Sequence, residues 1–432
     1  MNYFQRDLPR EQDIGICLDN ISKEIDFIYN KTTKKNDDFI RLHSSTLGKD
    51  EFLAFSKTIL EGNITLGKYN NDYENIAKEK FNSHFCVSSN SGSSANLLAI
   101  SALVQSHKLK KGDKVIVPGL AWSTTVFPLV QHGLIPIYVD MCPKTFNLNT
   151  KDVEKCIKEH KVSAIMLIHT YGNPADLEFF KNFCESNSIL LIEDSCESMG
   201  ATWENKPVGS FGFLGTFSSY YSHHICTLEG GLTICNDKYT SDLMRSIRSH
   251  GWTRGIDFDL SKEKNIDNLD PNFLFINSGY NLRLSDPQAA VGCVQLLKLN
   301  SFVEKRRKAA EHFIKIINNS SLLSSHIKYP IVLEKASSSW FGFPMIFEKI
   351  NSEDIKKLRE NLLKFKIETR PFLSGDFSLQ PVNTKFKNIS FNSLPNLKIC
   401  HGNSFALPCH QDIRIEDVNK ICSLIESFLL NI

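Results

Sequence analysis

Short apolar runs rich in β-branched residues alternate with helix-like segments between residues 45 and 250. Near-continuous apolar strands separated by helices are typical of a mostly parallel sheet covered on both faces. The alternation therefore predicts an α/β fold, whose ligands bind beyond the carboxyl ends of the strands. The predicted strands are KVIVP (114–118), IPIYVD (135–140), AIMLIH (164–169), ILLIED (189–194), GTFSSYY (215–221) and GLTICN (231–236), and helices are predicted over 93–105, 150–160 and 174–186.

The chain of 432 residues changes its pattern twice. Residues 1–44 are polar, contain a predicted helix over 11–29 and are interpreted as an N-terminal extension. Residues 45–300 form the predicted large α/β domain, which ends in an irregular, Asn- and Asp-rich stretch from about 250 to 300. A smaller C-terminal α+β domain is predicted over 301–432, with an amphipathic helix (301–318), the strand-like runs KYPIVL and SWFGFPMIF, and helices at 352–365 and 414–430.

The charge and cysteine patterns exclude several functional classes. The 50 basic and 48 acidic residues leave a net charge of +2, which argues against nucleic acid or an anionic membrane as a partner. The twelve cysteines show no CxxC spacing, so no metal is expected and a reducing, cytoplasmic compartment is indicated. The N-terminus lacks the apolar core of a signal peptide, and the apolar runs are too short to span a bilayer.

The motif NSGSSAN (90–96) lies between the short strand FCVSS and a predicted helix. Gly92 and Ser93 at the start of this helix leave backbone N–H groups free, and these suit a phosphate together with the helix dipole. The alternative is a serine N-cap without a ligand. ATP and NAD are disfavoured because the chain has neither a P-loop lysine nor a G-x-G-x-x-G motif here.

Asp194 and Trp122 follow strands at the same predicted edge of the sheet. Asp194 ends an apolar strand, where a carboxylate needs a partner; it could pair with a protonated ring nitrogen, cap a helix or form a salt bridge. Trp122 could stack on a planar cofactor or pack in the core. A phosphate cradle, a carboxylate and a stacking aromatic together predict pyridoxal phosphate, although the lysine that would form a Schiff base is missing.

The stretch SHHICTLEGG (222–231) places two adjacent histidines after the aromatic run GTFSSYY. Neither histidine has a Cys or His partner at metal-ligand spacing. An isolated histidine is commonly a satisfied core residue, but imidazole is also the best general base near neutral pH. The residues alone leave both interpretations open.

Ten motifs run in order from about residue 45 to the C-terminus: LEGNITLGKYNNDYE (60–74), SGSSANL, PGLAWSTTVFP to YVD, HTYGNPADL (169–177), IEDSCESMGA, GTFSSYYSHHICTLEGG, RSHGWTRG (248–255), SGYNLRLSDPQAAVG (278–292), IETRPFLSG (367–375) and SFALPCH (404–410). In these motifs the chain resembles the DegT/DnrJ/EryC1/StrS family of sugar aminotransferases. The resemblance implies a fold-type I, aspartate aminotransferase-like α/β fold with a mostly parallel seven-stranded sheet. It also implies a homodimer with a shared active site.

Most members of this family have the Schiff-base lysine six residues before the Glu of the Glu-Gly-Gly turn, where this chain has His223. An imidazole cannot form an imine, but it can move protons at the C4′ carbon of the cofactor. This departure resembles a smaller branch, the 3-dehydratases of nucleotide-linked 4-keto-6-deoxy sugars. One group of that branch acts on GDP-4-keto-6-deoxymannose. A second group acts on CDP-4-keto-6-deoxyglucose and has clustered cysteines for a 2Fe–2S cluster, whereas this chain has no cysteine between Cys235 and Cys293.

The GDP-sugar branch implies a noncovalently bound cofactor that L-glutamate converts into pyridoxamine phosphate. The amine condenses with the C4 ketone, His223 takes a proton from C4′, and the 3-hydroxyl leaves. Loss of ammonia then gives a 4-keto-3,6-dideoxy sugar nucleotide. The alternatives are a nucleotide-sugar aminotransferase, a CDP-sugar 3-dehydratase with a reductase partner, and a binding protein that has lost its activity.

The resemblance also assigns contacts to the cofactor. Asp194 is expected to pair with the pyridine nitrogen and Trp122 to stack on the ring. The phosphate is expected to contact backbone N–H groups of Gly92 and Ser93 and the hydroxyl of Ser218.

Five further residues receive expectations from the resemblance. Glu197 is expected near the 3-hydroxyl of the cofactor ring, where most members have Gln, and Asn281 is expected to reach a phosphate in the neighbouring subunit. His224, Arg254 and Arg370 are candidates for binding anionic parts of the sugar nucleotide or of the donor. Each of these three could equally serve a structural purpose.

Overall fold

The computed structural model describes residues 9–32, 38–262, 266, 268–386, 390–391, 393–400 and 402–432. Its helices are α1 (Glu11–Thr32), α2 (Lys49–Leu60), α3 (Lys68–Lys80), α4 (Gly92–Gln105), α5 (Ser123–Gln131), α6 (Thr150–Glu159), α7 (Leu177–Asn187), α8 (Lys238–Arg248), α9 (Asp286–Asn319), α10 (Ser321–His326), α11 (Ser352–Lys364), α12 (Pro395–Cys400) and α13 (Ile415–Leu429). Its strands are β1 (Phe85–Ser89), β2 (Lys114–Pro118), β3 (Ile135–Val139), β4 (Val162–Ile168), β5 (Leu190–Asp194), β6 (Thr202–Trp203), β7 (Lys206–Pro207), β8 (Leu214–Ser218), β9 (Gly231–Cys235), β10 (Ile327–Lys328), β11 (Ala336–Ser337), β12 (Phe343–Phe347), β13 (Arg370–Pro371), β14 (Ser390–Phe391) and β15 (Ser404–Leu407).

The main sheet has eight strands in the described part of the chain, in the order β1-β9-β8-β5-β4-β2-β3-β14. The pairs from β8 to β14 are parallel, whereas β9 runs antiparallel to both of its neighbours. Seven of the strands lie between residues 85 and 235, and the two-residue β14 extends the edge. This arrangement confirms the predicted mostly parallel α/β fold. The strands are buried after their first residue or two because both faces are covered.

One edge of the main sheet collects the carboxyl ends of seven of its eight described strands, all except β9. Because β1 and β8 are both antiparallel to β9, they run in the same direction as each other and as β5, β4 and β2. Asp194 and Ser218 are the last residues of β5 and β8, and α4 starts at Gly92, shortly after β1. Trp122 lies between β2 and α5. The topology thus brings the predicted cofactor residues to a single edge.

A second sheet, β10-β12-β15-β13, is antiparallel throughout. Its apolar side chains pack with α9, α11 and α13 in a separate buried cluster that contains Phe313, Phe343 and Phe405. Strand β13 carries Arg370 and pairs with β15. Helix α9 runs without a break through residue 300, where the sequence places a domain boundary. The division of the chain into domains at 44 and 300 stays a prediction.

Helix α9 begins at Asp286, inside the stretch that the sequence predicts to be irregular up to residue 300. That prediction is wrong for 286–300, because the local sequence contains helix-start signals. Pro287 lies in the first turn, and the Gln288 side-chain oxygen accepts a hydrogen bond from the backbone N–H of Ser285 at 3.3 Å. Among the described residues, no helix combines the length and apolarity needed to cross a membrane.

Candidate active site

A cavity of ≈ 460 Å³ opens at the carboxyl edge of the main sheet, within the size range of small-molecule sites. Eight of the predicted site residues line it: Gly92, Ser93, Trp122, Asp194, Glu197, Ser218, His223 and Arg370. The remaining lining residues are Ser91, Asn96, Thr124, Thr125, Ile168, Cys196, Tyr220, Ser222, Glu229, Phe341 and Leu373.

The start of α4 forms a tight cradle in this cavity. Ser91 is the N-cap, and its hydroxyl oxygen accepts from the Ser94 N–H at 3.0 Å. The first N–H groups of a helix have no partner within the helix, so those of Gly92 and Ser93 are available to an anion. A Cβ on Gly92 would lie 2.5 Å from Ser218 Cβ and 3.1 Å from Cys196 Sγ. Glycine is therefore required for the close approach of α4 to the end of β8.

Asp194 is nearly buried at the end of β5 and is surrounded by hydrogen-bond donors. Its Oδ2 accepts from Asn96 Nδ2 at 2.8 Å and from Thr125 Oγ1 at 2.7 Å, and its Oδ1 accepts from the backbone N–H of Cys196 at 3.1 Å. Thr216 Oγ1 in turn donates to Asn96 Oδ1 at 2.6 Å. A carboxylate so deep in the protein needs this compensation, and the network fixes it as an acceptor facing the cavity.

Trp122 and Arg370 meet at the mouth of the cavity. The indole is 49% exposed, which is high for so large an apolar group, and it offers a flat surface for a planar ligand. The guanidinium carbon of Arg370 lies 5.6 Å from the centre of the indole ring, within cation–π distance. The mouth thus combines an aromatic face with a positive charge.

His223 lies in the loop between β8 and β9. Its ring centroid is 5.0 Å from that of Phe341 and 5.9 Å from that of Tyr220. Its Nδ1 is buried and has no hydrogen-bond partner among the residues that the structure describes. Burial, with smaller contributions from the charges of Arg370 and Arg306, lowers the pKa of His223 to about 3. The imidazole is therefore neutral at physiological pH.

Glu197 is the second cavity residue that could exchange a proton. Its Oε2 accepts from the backbone N–H of Tyr171 at 3.0 Å. Burial raises the pKa of Glu197 to about 7, although that hydrogen bond and the charge of Arg370 oppose the shift. The carboxyl group can thus gain or lose a proton near neutral pH.

The other three predicted residues lie outside the cavity lining. His224 is fully buried, and its Nε2 is 3.1 Å from the carbonyl oxygen of Ser339. Arg254 is exposed, with its guanidinium carbon 5.7 Å from the ring centre of Trp252. Asn281 is exposed and forms an isolated bridge with Ser249. Their expected roles in binding anions or a partner's phosphate stay predictions.

Asn96, Thr125 and Phe341 line the cavity but are not predicted from the sequence. Asn96 belongs to the quoted motif NSGSSAN and lies one helical turn beyond Gly92, so helical spacing could have indicated it. Phe341 comes from the segment before β12, more than a hundred residues after His223, and has no comparable signal. The described residues contain no group of three or more His, Cys, Asp or Glu side chains that could hold a metal.

The cavity fits the predicted pyridoxal phosphate. The start of α4 and Ser218 offer hydrogen bonds to a phosphate, Asp194 offers an acceptor to a protonated ring nitrogen, and Trp122 offers an aromatic face. Within the described part of the chain, no lysine lines the cavity. The group would therefore be held by noncovalent contacts alone.

Comparisons with known proteins agree with this geometry. GDP-4-keto-6-deoxy-D-mannose 3-dehydratase of Yersinia pseudotuberculosis is 40% identical over 340 residues, 78% of this chain and 85% of that protein. A solved E. coli GDP-4-keto-6-deoxy-D-mannose-3-dehydratase with bound hydrated PLP has a TM-score of 0.83 at 34% identity, covering 89% of this chain and 98% of that one. A crystal structure of GDP-4-keto-6-deoxymannose-3-dehydratase with a trapped PLP-glutamate geminal diamine also gives 0.83 at 34% identity, covering 89% and 99%. Residues 45–426 match the DegT/DnrJ/EryC1/StrS aminotransferase family, and the chain belongs to that family.

Proposed function

We propose that the protein is a pyridoxal phosphate-dependent 3-dehydratase of a nucleotide-linked 4-keto-6-deoxy sugar, GDP-4-keto-6-deoxy-D-mannose, with L-glutamate as the amino donor. The observation that carries the proposal is His223, which lines the cavity where most family members have their Schiff-base lysine. GDP-sugar 3-dehydratases that resemble this chain at 34–40% identity support the choice of substrate.

Five residues would hold the cofactor. The N–H groups of Gly92 and Ser93 and the hydroxyl of Ser218 would bind its phosphate, Asp194 its ring nitrogen, and Trp122 its face. When bound, the cofactor supplies a ring that takes up the electron pair of a broken C–H bond. Asp194 supports this property because a carboxylate acceptor stabilises the protonated ring nitrogen.

His223 would act as the proton carrier. Its neutral imidazole takes a proton from the C4′ carbon and delivers it to the oxygen of the leaving 3-hydroxyl. Burial, which keeps the pKa of His223 low, ensures that the ring is unprotonated before each turnover. A lysine in this place would instead bond to the cofactor and favour simple transamination.

Arg370 would bind a carboxylate of the donor or an anionic group of the sugar nucleotide, because its guanidinium faces the cavity. The solved relative with a trapped PLP-glutamate adduct supports glutamate as the donor. Overall, glutamate is oxidised to 2-oxoglutarate and ammonia, and its two electrons reduce the sugar. The sugar exchanges its 3-hydroxyl for hydrogen.

The protein would work as a homodimer in the cytoplasm. Asn281 is exposed, as a side chain that reaches into a partner's site must be. None of the twelve cysteines forms a disulfide, which is typical of a reducing compartment.

Mass spectrometry of the product tests the proposal. Purified protein, pyridoxal phosphate, glutamate and GDP-4-keto-6-deoxymannose should give a sugar nucleotide lighter by one oxygen, with one 2-oxoglutarate and one ammonia released per sugar. A His223→Asn variant should still bind the cofactor, seen by its absorbance, but form no product. Formation of an amino sugar would refute the dehydratase, and equal activity of the variant would refute the role of His223.

A further inference from the structure

Nδ1 of His223 forms no hydrogen bond with the described residues that would orient the ring, and the nearby Tyr220 carbonyl contributes only a small rise of its pKa. Bases of this kind commonly donate a second hydrogen bond to a carboxylate or carbonyl that fixes their orientation. Here Nδ1 is buried without a partner in the described part of the chain, and the ring packs against Phe341 and Tyr220, with centroid distances of 5.0 Å and 5.9 Å. The orientation of the base therefore depends on what holds these two rings.

Phe341 ends a loop, residues 338–341, whose four carbonyl groups all accept hydrogen bonds from side chains. Arg307 Nε donates to the Ser338 carbonyl at 2.8 Å. Buried Arg306 donates through Nη1 to the carbonyls of Trp340 and Phe341, both at 3.3 Å. The Ser339 carbonyl lies 3.1 Å from His224 Nε2, and because a carbonyl can only accept, Nε2 must carry the proton.

The opposite side of the loop is held by backbone groups. The Ser339 N–H donates to the Gly172 carbonyl, and the Phe341 N–H donates to the Tyr171 carbonyl, both at 2.9 Å. A Cβ on Gly172, whose φ is +83°, would come within 2.7 Å of the Trp340 nitrogen. Trp340 itself has φ +49°, a strained conformation for a bulky residue that persists only where its surroundings enforce it.

We propose that His224 is a positioning residue, which holds the 338–341 loop so that Phe341 keeps the imidazole of His223 aimed into the cavity. His224 follows the base in sequence but acts through the loop, since it is fully buried and lines no part of the cavity. Burial keeps the pKa of His224 well below its usual value, so the ring stays neutral and donates a single hydrogen bond. This inference rests on the proposed role of His223.

The test compares His224→Leu with His224→Gln, because Gln keeps a donor near the position of Nε2 and Leu does not. We expect His224→Leu to lower kcat by about 10-fold to 100-fold, as for a misplaced catalytic group, with the KM of glutamate and of the sugar nucleotide unchanged. His224→Gln should recover most of kcat. Phe341→Leu should lower kcat as much as His224→Leu does. The double variant His224→Leu/Phe341→Leu should lose no more kcat than either single variant, because both substitutions act through one contact.

His410 provides a matched control. It is also buried, and its Nε2 lies 3.1 Å from a backbone carbonyl, but that carbonyl belongs to Arg41 and lies outside the 338–341 loop. His410→Leu should lower the melting temperature and leave kcat unchanged. Equal loss of kcat in His224→Gln and His224→Leu, or additive losses in the double variant, would overturn the proposal.

A second readout does not require turnover. Hydrogen–deuterium exchange at the imidazole C2 of His223 can be followed by mass spectrometry, and in both His224 variants it is the single histidine of residues 215–231. Exchange should be faster in His224→Leu than in His224→Gln, because a loosened loop admits water. Equal rates would refute the positioning role. An inactive wild-type protein would refute the proposed function and leave this comparison intact.

Discussion

Replacing Gly92 by alanine tests whether the start of α4 binds a phosphate. The new methyl group would lie 2.5 Å from Ser218 Cβ and 2.9 Å from Ser218 Oγ, so α4 and the end of β8 must move apart by roughly 1 Å to reach ordinary contact. Overpacking of this kind costs about 1–3 kcal/mol of stability. The displacement also shifts the N–H groups and the hydroxyl that the phosphate would contact.

The expected loss of cofactor affinity follows from those contacts. One hydrogen bond to a charged group contributes about 1.5–3 kcal/mol, so its loss should raise the Kd of pyridoxal phosphate by about 10-fold to 150-fold. Because the cofactor is held noncovalently in the proposed function, Kd can be measured by absorbance titration of the apoprotein. Gly15→Ala is the control, since no atom of the described residues lies within 4 Å of its new methyl group. A Kd for Gly92→Ala within twofold of wild type would refute phosphate binding at the start of α4.

Three further perturbations have defined outcomes. Asp194→Asn should retain folding but lower kcat by about 10-fold to 150-fold, the effect of losing one hydrogen bond to a charged group; unchanged kcat in the product assay would contradict its pairing with the ring nitrogen. The raised pKa of Glu197, about 7 against an ordinary 4.5, means that the folded protein binds this proton more tightly, so stability is lost as pH rises from 4.5 to about 7. The melting temperature of Glu197→Gln minus that of wild type should therefore increase over this range, and a flat difference would be contrary evidence. Glu74 accepts a hydrogen bond from buried Arg248 Nη1 at 2.7 Å and pairs with Arg245 at the same distance. Glu74→Gln should therefore lower the free energy of unfolding, measured in urea, by about 3–5 kcal/mol. A loss below about 1 kcal/mol would show that these ion pairs do not stabilise the fold.

Residues next to strand ends could be predicted from the sequence because topology alone places them. Once the apolar runs are recognised as parallel strands, their carboxyl ends must share an edge, and this brings Trp122, Asp194 and Ser218 together. The start of α9 at Asp286 was also within reach of sequence reasoning, since Ser285, Pro287 and Gln288 are helix-start signals.

Contacts between distant segments could not be predicted in the same way. Phe341 packs directly against His223, and Arg306, Arg307 and His224 hold the 338–341 loop that carries it. Nothing in the local pattern of these residues indicates their partners. His224 illustrates the limit well. Its place beside His223 left both a ligand contact and a structural purpose open, and its position, fully buried and outside the cavity lining, could not be read from the sequence.

The fate of nitrogen from labelled glutamate distinguishes a 3-dehydratase from an aminotransferase. The protein would be incubated with 15N-glutamate, pyridoxal phosphate and GDP-4-keto-6-deoxymannose, and both the sugar nucleotide and the released ammonia would be analysed by mass spectrometry. We expect the label to appear in ammonia and the sugar to lack both the label and one oxygen. A sugar nucleotide that keeps the 15N atom and its 3-hydroxyl would show an aminotransferase and contradict the role given to His223.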